Sequence, residues 1–352
     1  MMWSGLVRPD GIGRREFVKA GAGAAAGLAL MGGRSALAQG TAKKFGVIDC
    51  HAHWQPEPYL KAMKELGNPI NNPTPYNFDL DKRIKHMDEQ GVQVHILAIL
   101  TPAVQWAAPA DGAHLAQLIN DAAIEAHKAY PDRLYAAIAM PIQDPLLALR
   151  ELNRVAGKPG LCAIHLPTSN NAKDYLFQHD FEPIFARAEE LGYPLVFHPI
   201  GDEAGLDRLQ GPAFLNNSVG IPFEHTITAA RFIVNGVLDK YPKLDIVLFH
   251  AGGAFPYVAG RVEYALMRRN IKLPRPFREY IRRFHYDTIT YYPETLRFLI
   301  SLVGSDRVVI GTDDYAAVDI DKPMALVEEL KLPAEDRERI FTNNAVRLFH
   351  LS

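Results

Sequence analysis

Val47-Ile48-Asp49-Cys50-His51-Ala52-His53-Trp54 is a short apolar run that ends in two histidines separated by one residue. Side chains alternate along an extended chain, so His51 and His53 leave on the same side, with their imidazoles close enough to share one ligand. Three further apolar runs end in the same way: Leu195-Val196-Phe197-His198-Pro199, Val247-Leu248-Phe249-His250-Ala251-Gly252-Gly253 and Val309-Ile310-Gly311-Thr312-Asp313-Asp314. Runs of Val, Ile, Leu and Phe without polar alternation are typical of parallel strands buried on both faces.

Working outward, strands are expected at Gly46–Cys50, Gln93–Leu100, Leu134–Ala139, Leu161–Leu166, Leu195–His198, Asp245–His250, His285–Thr290 and Arg307–Gly311. Amphipathic stretches lie between them, at His114–Tyr130, Leu146–Ala156, Phe181–Leu191, Thr226–Lys240 and Pro293–Val303. Strand alternating with helix is the pattern of a parallel sheet with crossover helices. Residues 44–352 show no composition break, and their reading is a single α/β domain, a (β/α)8 TIM barrel. A doubly wound open sheet is the competing architecture, but Gly252-Gly253 is an isolated pair rather than a phosphate-binding glycine loop. The first loop, Gln55–Tyr76, carries Asn-Pro and Pro-Thr-Pro sequences that argue against helix.

The chain has 352 residues, 38 basic against 40 acidic side chains, and 48% hydrophobic residues. That composition suits a large packed core and excludes a disordered or collagen-like chain. A formal charge of −2 offers no basic footprint for nucleic acid. Cys50 and Cys162 are too few for a disulfide framework or a thiolate zinc site, and both read as small buried residues within strands. Residues 1–38 read differently from the rest. Gly13-Arg14-Arg15-Glu16-Phe17-Val18-Lys19 precedes a short Ala/Gly-rich apolar stretch and Ser35-Ala36-Leu37-Ala38, the order of a cleavable export signal of the twin-arginine type. Cleavage after Ala38 would remove five basic and two acidic side chains and take the formal charge from −2 to −5. The expected mature protein is periplasmic, delivered by the twin-arginine export machinery, with no stretch apolar and long enough to hold it in a membrane.

Barrel enzymes carry their chemistry at the carboxyl ends of the strands. Those ends here supply His51, His53, His198, His250 and Asp313. One histidine after an apolar strand is commonly a buried side chain bonded to backbone, so it is the joint pattern that points to a metal site. Neutral imidazole and carboxylate are the ligands that a borderline divalent ion such as zinc prefers. His165 after the fourth strand competes for a place, whereas His225 and His285 lack a comparable strand-end setting. Asp313 is preferred to Asp314 because Gly311-Thr312-Asp313 continues the strand. Trp54, Trp106 and Tyr291–Tyr292 are candidates to line an aromatic pocket.

The chain resembles the amidohydrolase superfamily, in the branch that contains aminocarboxymuconate semialdehyde decarboxylase and γ-resorcylate decarboxylase. The matching pieces are D-x-H-x-H at Asp49–His53, Met-Asp-Glu-Gln-Gly-Val at Met87–Val92, Tyr130-Pro131-Asp132-Arg133 and Met140-Pro141-Ile142-Gln143-Asp144-Pro145. Phe197-His198-Pro199, the stretch Asn217–Arg261 with its His-Ala-Gly-Gly, Gly311-Thr312-Asp313 and Asn344-Ala345 extend the match over nearly all of residues 44–352. The resemblance implies one divalent metal ion, usually zinc and sometimes manganese, held by His51, His53, His198 and Asp313. It implies His250 as the acid/base residue beside it, with Asp313 able to share the proton work, and a homodimer as the assembly. The implied reaction is metal-dependent, non-oxidative decarboxylation of an aromatic or unsaturated carboxylic acid. The alternative is a metal-dependent hydrolase of an ester, lactone or amide, and either way the partner is a small-molecule acid or ester. Two departures narrow this. Gln55–Leu80 contains no arginine where the aminocarboxymuconate enzyme places one on its substrate; Arg83 lies beyond that loop. Gly160–Asn171 contains no lysine to bridge a second metal.

Overall fold

Eight parallel strands stand in sequence order around one sheet. They are β1 (Ile48–Trp54), β2 (Val94–Ile99), β3 (Leu134–Ala139), β4 (Leu161–Leu166), β5 (Leu195–Phe197), β6 (Ile246–Leu248), β7 (Phe284–Asp287) and β8 (Val308–Val309). The computed structural model describes residues 45–170, 174–199, 206–211, 215–314, 322 and 324–352; the export signal expected at residues 1–38 lies outside them. β8 is short, yet the sheet closes on itself. Cys50 N donates to Ile310 O at 2.9 Å, Asp313 N donates to His51 O at 3.0 Å, and Ala52 bridges Asp314. The closed barrel answers the expectation of a (β/α)8 fold, and Lys43–Ser352 forms one compact unit.

The helices that cover the strands are α1 (Glu57–Glu65), α2 (Leu80–Gln90), α3 (Pro109–Ala129), α4 (Pro145–Val155), α5 (Glu182–Leu191), α6 (Ile221–Val234), α7 (Val237–Lys240), α8 (Phe255–Arg268), α9 (Phe277–Ile281) and α10 (Pro293–Val303). α1 corrects the reading of Gln55–Tyr76 as helix-free. Pro58 stands in its first turn, where proline costs no hydrogen bond, and Tyr59, Ala62 and Met63 form its buried stripe. The Asn-Pro and Pro-Thr-Pro sequences all follow Gly67, so they limit the helix without preventing it. Gly91 and Gly192 cap α2 and α5 in the left-handed conformation.

Two apolar clusters divide the molecule. One is built from inward strand residues, among them Ile48, Cys50, Val94, Ile96, Val196, Val247 and Phe249, and is plugged by Phe45, Leu348, Phe349 and Leu351. The other lies between strands and helices and includes Ala52, Trp54, Leu97, Ile164, Phe197 and Leu248. Cys50 and Cys162 are buried free thiols, as their strand positions imply. β1 crosses from one cluster to the other. Strict alternation would put Ile48, Cys50, Ala52 and Trp54 on one face, but the β1–β2 register shifts between Asp49 and Ala52. This bulge re-phases the strand. It sends Ala52 and Trp54 outward and turns His51 and His53 into the mouth of the barrel. Trp54 therefore packs under the helices instead of lining a central pocket. It borders a groove of about 920 Å³ on the outside of the barrel, with Phe78, Leu118 and Arg154, away from the histidines.

Candidate metal centre

His51, His53, His198 and Asp313 meet at one point at the carboxyl mouth. The Nε2 atoms of His51 and His53 are 3.1 Å apart, and those of His53 and His198 are 3.2 Å apart. Asp313 Oδ1 lies 3.2 Å from His51 Nε2, 3.0 Å from His53 Nε2 and 3.8 Å from His198 Nε2. All four residues are buried. Imidazole nitrogens so close cannot all satisfy one another, because each neutral ring offers one donor and one acceptor. About 3.3 Å is the edge of a tetrahedron whose nitrogens lie ~2.0–2.1 Å from a central zinc ion. The donor set fits a divalent cation.

The outer nitrogens of two rings settle which way their lone pairs point. His51 Nδ1 is 2.8 Å from Asp287 Oδ2, and His198 Nδ1 is 2.6 Å from Pro199 O. An oxygen acceptor there holds the proton on Nδ1 and leaves Nε2 free to ligate. His53 Nδ1 has no hydrogen-bond partner. Electrostatics report the same concentration of charge. Burial opposes protonation of His51, but the carboxylates of Asp313 and Asp287 outweigh it and raise its pKa to about 9. Burial holds His53 and His198 below the usual imidazole range. Asp313 sits well below the usual carboxylate range: burial works against this, but His51 and the hydrogen bonds of the surrounding imidazoles prevail. A carboxylate that stays ionised beside these imidazoles is what a cation requires, and an ion bound at His51 Nε2 would take the place of the proton that the two carboxylates favour there.

His250 stands at the edge of the cluster, its Nε2 3.4 Å from Asp313 Oδ2. It lies past the end of β6, in a turn where His250 and Ala251 have φ of 53° and 54°. Left-handed backbone at non-glycine residues costs on the order of 1–2 kcal/mol each, so something must hold it. Asp287 does: its carboxylate accepts from His250 N at 2.9 Å, Ala251 N at 2.7 Å and Ile289 N at 3.1 Å while also accepting from His51 Nδ1. Asp313 is left-handed too, at φ 57°. Phe249 stacks on the His51 ring, centroids 3.7 Å apart. Gly311 leaves the room: a Cβ there would come 2.8 Å from Asp287 Cβ and 3.0 Å from His51 Cβ. On the other flank Asp49 accepts from His51 N and Thr312 Oγ1, and Arg83 donates to His53 O.

The remaining sequence candidates sort themselves by position. Asp314 turns away from the cluster to His86, 3.2 Å distant, which leaves Asp313 as the mouth carboxylate. His165 is buried with its ring centroid 6.5 Å from that of His198, and its Nε2 has no partner. It neighbours the cluster without joining it. Tyr291 and Tyr292 are exposed, and Trp106 Nε1 donates to Ala103 O. Two residues escaped the sequence reading. Asp287 closes β7, Phe284–Asp287, but the sequence reading ran that strand on to Thr290 and left the carboxylate inside it. His225, 3.0 Å from His250 Nδ1, is the fifth residue of α6 and carries no strand-end signal.

A family model described as amidohydrolase matches residues 48–351. The chain belongs to the amidohydrolase family. Among its relatives, a 2-amino-3-carboxymuconate-6-semialdehyde decarboxylase of Dictyostelium discoideum is 30% identical over 280 residues, 78% of this amidohydrolase and 77% of the relative. A gamma-resorcylate decarboxylase of a Rhizobium species is 30% identical over 289 residues, 77% and 87% of the two chains. The crystal structure of a dihydroxybenzoic acid decarboxylase from a Polaromonas species, with bound manganese and the inhibitor 2-nitroresorcinol, matches with a TM-score of 0.73 at 27% identity, covering 88% and 98%. Among the described residues of this amidohydrolase one group of metal-donor side chains converges, His51, His198 and Asp313 together with His250; His53 Nε2 adjoins it, 3.1 Å from His51 Nε2, and the group suits one divalent ion.

Proposed function

We propose that this amidohydrolase is a metal-dependent, non-oxidative carboxy-lyase acting on an aromatic or unsaturated carboxylic acid. The observation that carries the reading is the division of Asp313: Oδ1 lies among the three inward imidazoles, and Oδ2 faces His250. One carboxylate thus joins a cation site to a proton-handling imidazole. His51, His53, His198 and Asp313 would hold the ion, whose chemistry is to draw electron density from the acid's carboxylate and a neighbouring oxygen. As the bond from the substrate carbon to its carboxyl breaks, the electron pair stays on that carbon. His250 Nε2 delivers a proton to it, carbon dioxide leaves, and acid becomes R–H plus carbon dioxide without oxidant or reductant. Asp313 Oδ2 orients His250 and accepts from it. Buried walls exclude bulk water from this exchange. The absence of arginine from Gln55–Leu80 argues for an acid other than aminocarboxymuconate semialdehyde.

The test is incubation of metal-loaded protein with hydroxybenzoates and unsaturated acids alongside lactones and esters. Carbon dioxide released in step with loss of one acid is the expected result; hydrolysis of an ester or lactone without carbon dioxide would overturn it. Zinc is the proposed ion on the strength of three nitrogens and one oxygen at tetrahedral spacing, and elemental analysis of protein purified without added metal decides between it and manganese.

Residues 1–38 are proposed as a twin-arginine signal and the mature protein as periplasmic, a reading supported by a family match that begins at residue 48. No helix among the described residues is long and apolar enough to cross a membrane. Replacing Arg14 and Arg15 by Lys should leave active precursor in the cytoplasm; unchanged delivery would refute the signal. A homodimer is supported by the solvent faces of α6 and α8, which expose Phe223, Ile227, Tyr257, Tyr264 and Met267. Light scattering of wild type against a Tyr257→Lys, Met267→Glu variant reads it directly.

A further inference from the structure

Ile164, His165 and Leu166 end β4, and the alternation of that strand decides which of them faces the interior of the barrel. Ala163 lies in the inner apolar cluster, whereas Ile164 and Leu166 lie in the outer one. His165 therefore points inward, as does Val196, its partner in register on β5. His198 follows Val196 by two residues. Its ring centroid is 6.5 Å from that of His165 and 5.1 Å from that of His250. Strand order sets His198 between the two, and it places β4 across the barrel from β8, the strand that leads to Asp313.

The chemistry described above makes no use of His165. The residue is buried, and its Nε2 has no hydrogen-bond partner among the described residues. Three residues on, Thr168 is buried as well, and its hydroxyl has none either. A buried polar atom left unpaired costs more than an ordinary hydrogen bond gains. Two such atoms close the same strand, at the end of the barrel where this fold meets its substrates. Leu161–Asn170 contains no lysine, arginine, aspartate or glutamate. Neither a second carboxylate nor an ammonium group would meet an opposite charge from this segment. A hydroxyl group both donates and accepts. It can pair with His165 Nε2 in either role, wherever the proton of the ring sits, and with Thr168 Oγ1 in the same way.

We propose that His165 is a specificity-determining residue which, with Thr168, receives a hydroxyl group of the substrate acid remote from the oxygens that face the ion. That the substrate is an acid rests on the carboxy-lyase reading. The experiment is calorimetric titration of zinc-loaded protein with salicylate and with the dihydroxybenzoates that carry one further hydroxyl. All of them keep a carboxylate and an adjacent oxygen for the ion. One dihydroxybenzoate should bind the wild type about tenfold more tightly than salicylate does, the worth of one hydrogen bond. In His165→Leu that preference should fall below about twofold, with salicylate affinity and zinc content unchanged. His165→Gln, whose amide also donates and accepts, should keep most of the preference, and Thr168→Val should lose part of it. No preference in the wild type, or one that survives in His165→Leu, would overturn the proposal. Loss of zinc together with salicylate binding in both His165 variants would do so as well, since that is the mark of a ring with a structural role only. So would a wild type that binds none of these acids. A preference that depends on His165, in a protein that releases carbon dioxide from no acid, would count against the carboxy-lyase reading and leave His165 standing. Release of carbon dioxide without that preference would do the reverse.

Discussion

The two sides of the centre are built differently. His51 and His53 are borne on β1, and His198 directly follows β5 with its N–H bonded to Leu166 O at 3.1 Å. They inherit their positions from the sheet. His250, by contrast, stands on a turn of two left-handed residues that Asp287 and Thr226 of α6 hold in place. Under the roles proposed above, the difference is one of function. The imidazole ligands need fixed directions and nothing more, which strand backbone provides, while Asp313 reaches them from a left-handed residue beyond β8. A proton donor must reach past the ligands to a substrate, and the turn lifts it to the rim at the expense of backbone strain.

The largest effect expected from breaking this contrast is on the strand-borne side. His198→Ala should strip the metal and abolish turnover together, because two imidazoles and one carboxylate leave a poor site; full metal content by elemental analysis would remove His198 from the ligand set. On the turn-borne side, His250→Ala should keep its metal and lose about 10²–10⁴-fold in turnover, the range for a general acid. Asp313→Ala should lose both, since its two oxygens serve both sides. A His250→Ala protein without metal beside an Asp313→Ala protein with it would reverse the roles. Asp287→Asn tests the link between the sides, because one carboxylate orients His51 and holds the His250 turn. An amide can accept from only one oxygen, so metal affinity and turnover should each fall roughly 10–100-fold; a loss confined to one of them would show the two sides to be independent.

The smallest effect lies far from either. Burial, followed by the charges of Arg307, Arg347 and Arg283, pushes His285 down to about 3. The folded protein therefore keeps this ring neutral, whereas the unfolded chain takes up a proton near pH 6.5. Its contribution to stability is complete above that pH and is lost progressively as pH falls from 6.5 towards 3. Melting temperature should drop less steeply between pH 6.5 and 4.5 in His285→Gln than in the wild type, and parallel curves would rule the residue out.

What was readable in the sequence follows the same contrast. Residues that close apolar runs announce themselves, since such a run has one obvious geometry in a parallel barrel; the convergence of His51, His53 and His198 was legible that way, whereas Asp313 joins them from beyond β8 in the left-handed region and not as a continuation of the strand. The turn-borne side depends on contacts between segments far apart in the chain. Asp287 matters because of backbone N–H groups 36 and 37 residues earlier in the chain, and His225 meets an imidazole 25 residues later in the chain. Neither fact has a local periodicity. The bulge in β1 was equally hidden, because the pair His51 and His53 shares a side with or without it, and only Trp54 betrays the change of phase. α1 was missed for a plainer reason: prolines that bound a helix look, in sequence, like prolines that forbid one.

The seam that closes the barrel has a consequence for the order of events in the cell. Asp313 and His53 are 260 residues apart, and the backbone bond from Asp313 N to His51 O both zips the last strand to the first and sets the carboxylate beside the imidazoles. A nascent chain has no centre to load until β8 and Asp313 have been made and have met β1. An ion held by the proposed ligands would therefore be captured only after the seam between the last strand and the first has closed.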